Sequence, residues 1–157
     1  MAGSERKPKP WIGTNFEEDE AAFAPNGTWV AYVTDQIGSF EVFVRPFPGP
    51  GYPIRVSPGG GHDPVWSRDG KELFYQNSGQ LLSAEVIEWE PVLRFKPARE
   101  LFEGGFVPYV TGTPRTYDVA PDGRFVMIEP NETASVEASL ILVKNWHEEL
   151  KRLVPTD

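Results

Sequence analysis

The sequence predicts an all-β protein made of three β-propeller blades, and three observations carry that expectation. One pattern recurs: an apolar run, a tight Asn-Gly or Asp-Gly turn, then an alternating apolar strand. Its copies span residues 22–32 around Asn26-Gly27, 65–75 around Asp69-Gly70 and 118–128 around Asp122-Gly123. The turn glycines lie 43 and then 53 residues apart, close to the period of roughly 40–45 residues expected of a four-stranded blade. Finally, 15 glycines and 16 prolines fall mostly between the apolar runs, as a chain of many strands and turns requires.

Each element has a local reason. Residues 1–8 are polar, charged and proline-bearing, and are expected to form a disordered lead-in to a single partial-propeller domain over 9–157. Residues 10–16 read as a spare edge strand, opened by Pro10 and carrying the large apolar Trp11 and Ile12. Glu17, Glu18, Asp19 and Glu20 read as a solvated connector, because consecutive acids on an extended chain point to alternate sides and do not converge on a cation. The first blade, about 21–57, places strands at 21–25, 29–34, 40–47 and 52–57, with Asn26-Gly27 supplying the positive φ angles of a hairpin turn.

Gly59-Gly60-Gly61 then leads to the second blade, about 62–103, with strands at 64–68, 71–76, 80–88 and 98–102 and a loop or bulge at residues 88–91. A long linker over 104–115 accounts for the wider second spacing. The third blade, about 116–154, offers strands at 116–120, 124–129 and 139–144. A short C-terminal helix then follows, with Asn145 as N-cap and Trp146, Leu150 and Leu153 at helical spacing.

The third blade thus lacks an outer strand while the N-terminus has one to spare. Three blades are half of a six-bladed ring, and a ring needs typically 4–8. The expected assembly is a homodimer in which the strand at 10–16 of each subunit completes the third blade of the other, removing both open faces.

Composition narrows the function. A net charge of −8 with scattered Lys and Arg argues against nucleic acid. The absence of cysteine excludes disulfides, thiol catalysis and cysteine-held zinc. No apolar run approaches a membrane span and the first ten residues lack a signal-peptide core, so the default expectation is a cytoplasmic protein with no membrane partner. Asn26-Gly27-Thr28 and Asn131-Glu132-Thr133 match the glycosylation triplet but read as turns.

Candidate chemistry is sparse. His62, after three glycines and before Asp63-Pro64, is expected on the loop entering the inner strand of the second blade, at the mouth of the channel. His62, Asp63 and Arg68 are therefore candidate contacts for a protein or small ligand there, although the plainer reading of His62 is an exposed loop residue. Tyr109, an aromatic in the long linker, is a further candidate partner contact, and His147 falls on the terminal helix as a surface or packing residue. Ser57, His62 and Asp63 are close in sequence, but no Gly-x-Ser-x-Gly elbow presents a nucleophile. Trp29, Trp66, Phe74, Tyr75, Phe125 and Trp146 could form an aromatic binding surface, but most of them are expected to fill the space between blades.

The repeat at residues 23–32 resembles the Pro-Asp-Gly repeat of TolB-like propellers, also called PD40 or WD40-like repeats, with Asn26 in the usual place of Asp. Residues 41–49, 64–75 and 145–151 are similar to the C-terminal propeller segment of bacterial serine/threonine kinases. No kinase glycine-rich loop, His-Arg-Asp or Asp-Phe-Gly motif accompanies them. The resemblance implies a TolB-like fold and a non-catalytic binding module, with no catalytic residue, metal or cofactor. The alternatives are a hydrolase-like enzyme whose site forms at the ring centre from both subunits, and an orphaned propeller fragment without specific activity.

Overall fold

A computed structural model describes residues 7–104, 107, 115–129 and, for the backbone, 139–142. Among the described residues, twelve strands form three antiparallel sheets. The first holds β1 (Glu18–Phe23), β2 (Trp29–Thr34), β3 (Glu41–Pro46) and β4 (Ile54–Arg55) in that order. The second runs β5 (His62–Trp66), β6 (Glu72–Asn77), β7 (Gln80–Glu88) and β8 (Arg94–Phe95), and β9 (Arg99–Glu103) also pairs with β7. The third holds β10 (Tyr117–Val119), β11 (Phe125–Glu129) and β12 (Ser139–Leu142). Apart from β9, each sheet follows chain order, the meander of a propeller blade. No helix occurs among the described residues, and none there is long and apolar enough to cross a membrane. The helix expected over 145–154 lies outside the described residues, as do Tyr109 and His147.

Three hairpin turns anchor the blades. Gly27, Gly70 and Gly123 adopt φ of 71°, 73° and 83°, where a side chain would be strained, and each donates its N–H to the residue three before it. Asn26 Oδ1 accepts the Thr28 N–H at 3.0 Å, so this asparagine serves a turn as the sequence suggests.

Strand alternation then divides the side chains between two seams. Trp29, Ala31, Val33, Val42 and Val44 of the first blade pack on Trp66, Leu73, Tyr75 and Ala84 of the second. The opposite face of the second blade offers Val65, Phe74, Leu81 and Leu101 to Tyr117, Phe125 and Met127 of the third. Trp29, Trp66, Phe74, Tyr75 and Phe125 are therefore inter-blade core, and Trp146 lies outside the described residues.

Three local expectations need correction. Residues 10–16 form no strand; a strand needs a ladder partner, and Trp11 instead caps the face of the first blade that looks away from the second. Its ring meets Tyr32 at 6.2 Å and Phe47 at 5.5 Å, both edge-on. Glu18, Asp19 and Glu20 are not a connector but the start of β1. The fourth strand of the second blade is doubled, because the nine-residue β7 pairs β9 along its first half and β8 along its second.

Candidate functional site

The inner strands of the first two blades share an irregularity that places the titratable groups. β1 slips register between Asp19 and Ala22, and β5 between His62 and Val65. Within these bulges Glu20 (φ 56°) and Asp63 (φ 54°) take the left-handed conformation that non-glycine residues rarely adopt. Both stand seven residues before their turn glycine, and Thr116 holds the same position in the third blade.

These equivalent residues are hydrogen-bonded from blade to blade. The Asp63 N–H donates to the Glu20 carboxylate. Asp63 Oδ2 in turn accepts the Thr116 N–H at 3.3 Å and the Thr116 hydroxyl at 3.0 Å. Gln76 Nε2 donates to Thr116 Oγ1 at 2.7 Å, and the Tyr117 hydroxyl donates to the Asp63 carbonyl at 2.7 Å. Asp63, Gln76, Thr116 and Tyr117 are all buried. A carboxylate, a backbone amide and a hydroxyl thus clasp three consecutive blades at the end where the chain crosses from one blade to the next.

Burial raises the Asp63 carboxyl above its ordinary value, against the opposing pull of the Thr116 hydrogen bonds. Burial also pushes the Tyr117 phenol well above its usual range. His62 is half-buried rather than an exposed loop residue, its ring 5.6 Å from that of Phe40. Burial lowers its pKa, only partly countered by the Asp63 charge. Glu20 Oε1 stands 3.9 Å from Nδ1, beyond hydrogen-bond reach, while the other Glu20 oxygen is engaged by Asp63.

A pH dependence follows. With its folded value lowered, His62 takes up a proton more readily in the unfolded chain, so stability is lost as pH falls through about 6.5. Asp63, whose folded value is raised, has the opposite sign: its contribution is present at low pH and lost as pH rises through that value. His62→Gln is expected to shrink the drop in Tm between pH 7.5 and 5.5. Thermal unfolding of both proteins at the two pH values checks this, and equal drops would remove His62 as the cause.

The sequence-based site is thus divided. His62 and Asp63 sit together at the crossover end of β5, Arg68 lies in the Ser67–Gly70 turn at the opposite end and is exposed, and Tyr109 is outside the described residues. Ser57 is buried with its hydroxyl accepting the Val42 N–H at 2.7 Å. Among the described residues no group of three or more His, Cys, Asp or Glu side chains assembles to hold a metal. The residues missed are Glu20, Gln76, Thr116 and Tyr117. The offset of seven from the turn glycine is the signal that exposes Glu20 and Thr116.

No family model and no curated protein matches the chain. Solved structures do. An oligogalacturonate lyase from Vibrio parahaemolyticus superposes with a TM-score of 0.56 at 14% identity, covering 75% of this chain and 31% of the other. A protein assigned as TolB from Agrobacterium tumefaciens gives 0.57 at 13% identity, covering 85% of this chain and 47% of the other. The fold is that of TolB-like β-propeller blades, and the chain spans less than half the length of either structure.

Proposed function

We propose that this chain is a non-catalytic binding module, half of a six-bladed propeller whose ring a second copy completes. Phe23 carries the reading. It stands four residues before its turn glycine, as Trp66 does in the second blade. Trp66 is 7% exposed because the first blade covers it; Phe23 is 59% exposed on a face with no blade beyond it among the described residues. At the other end, Val126 and Ile128 alternate with the buried Phe125 and Met127 and so face away from the second blade, half-buried. Two copies about a two-fold axis would join these apolar faces twice, giving six blades. Exchange of residues 10–16 would also draw Trp11 off Tyr32 and Phe47.

A non-catalytic role is supported by what the reactive residues do. Ser57 and Asp63 are committed to hydrogen bonds that hold strands and blades together. The crossover end, with His62 at its rim, is the surface on which such a ring would present a protein or small ligand. The likeness of residues 41–49 and 64–75 to kinase-linked propeller segments fits the same binding role.

Phe23→Asp tests the interface without touching either seam. Placing an unpaired charge in a buried contact is expected to weaken self-association at least tenfold. Sedimentation equilibrium of both proteins reads it, and an unchanged dissociation constant would overturn this interface.

A further inference from the structure

The two seams are packed differently at their turn ends. Between the first and second blades, Trp29 lies two residues after one turn glycine and Trp66 four before the next; both are buried. Trp66 stacks on Trp89 at 5.6 Å, and Trp89 reaches Gly70, where an added Cβ would lie 3.1 Å from its ring. Between the second and third blades the same two positions hold Glu72 and Val119. Both line a cleft of about 570 Å³ at that end of the second seam, roomy enough for an indole ring. Its apolar lining includes Phe74, Leu101 and Phe125, all buried.

The charges around it are unequal. Asp69 pairs with Lys71 at 3.1 Å, Glu72 with Arg99 at 3.2 Å and Asp122 with Arg124 at 2.7 Å. Arg68, also lining the cleft, has no ion-pair partner among the described residues. One guanidinium with no ion-pair partner among the described residues thus borders a cleft of mixed polar and apolar lining on a chain of net charge −8. We propose that this cleft binds a planar aromatic group bearing one carboxylate, the ring occupying the space that tryptophans fill in the first seam and the carboxylate pairing with Arg68. A guanidinium matches a carboxylate in a bidentate fork, and an aromatic on an apolar lining supplies the buried area. Both walls belong to one chain, so the site stands whether or not a second copy closes the ring.

The test is calorimetric titration with indole-3-acetate, with a short peptide ending in a C-terminal tryptophan carboxylate, and with neutral indole-3-acetamide. Saturable binding of at least one acid is expected, at least tenfold tighter than the amide. Arg68→Gln, in an exposed turn, should weaken it about tenfold. Val119→Trp should abolish it by refilling the slot, with Val119→Phe as a milder filler if the larger one fails to fold. Tighter binding of the peptide would assign the carboxylate to a protein C-terminus, and tighter binding of the free acid to a small molecule. Failure of both acids to bind at millimolar concentration, or binding indifferent to Arg68→Gln, would overturn the proposal.

Discussion

Trp66→Ala is expected to cost about 3–5 kcal/mol of unfolding free energy, the range for truncating a buried large aromatic. The indole bridges two blades: it is buried in the first seam, stacked on Trp89 at 5.6 Å, 6.1 Å from the Phe95 ring, and it donates Nε1–H to the Ala22 carbonyl at 3.2 Å. Truncation therefore removes transfer free energy, opens a cavity where Trp89 loses its stacking partner, and strips a donor from the inner strand of the neighbouring blade. Trp66→Phe keeps most of the area and loses the hydrogen bond, so it should recover more than half of the loss. Urea denaturation measures both; a loss under 1 kcal/mol for alanine would mean that the first seam does not hold the blades together.

Asp63→Ala is expected to cost about 2–3 kcal/mol, because it leaves the Thr116 amide and hydroxyl as buried donors without their acceptor. The desolvation that raises the Asp63 carboxyl offsets part of the clasp, which keeps the figure below the sum of two charge-assisted bonds. Glycine separates the backbone from the side chain. At φ 54° alanine is strained and glycine is not, so Asp63→Gly should be about 1 kcal/mol more stable than Asp63→Ala while still lacking the clasp. Equal stabilities for wild type and Asp63→Ala, read by the same denaturation, would show that the blade-to-blade hydrogen bonds carry no net weight.

What could be read from the sequence, and what could not, follows from the range of each signal. The Asn-Gly and Asp-Gly turns are local, and β2 emerged with the bounds 29–34 because turn chemistry fixes where a hairpin strand begins. Seam-facing aromatics were legible for a similar reason, since alternation assigns a face without knowledge of its partner. The bulges were not, because an extra residue breaks the alternation that would mark it. Glu20 therefore read as a solvated acid although its carboxylate meets a residue 43 positions away. Arg68 is near His62 in sequence, yet six extended residues cover roughly 20 Å and put them at opposite ends of the blade. Residues 10–16 had the composition of an edge strand, but Trp11 found an aromatic cap on Tyr32 and Phe47 instead of a ladder. The cleft beside Arg68 appears only when the two seams are compared position by position.

The mass of the chain in solution, measured by light scattering on a size-exclusion column over a wide concentration range, tests the ring most directly. A dimer of the 17.6 kDa chain that persists on dilution into the low micromolar range is expected. A well-folded monomer at every concentration would contradict it, leaving the exposed Phe23 to be covered by something other than a second copy.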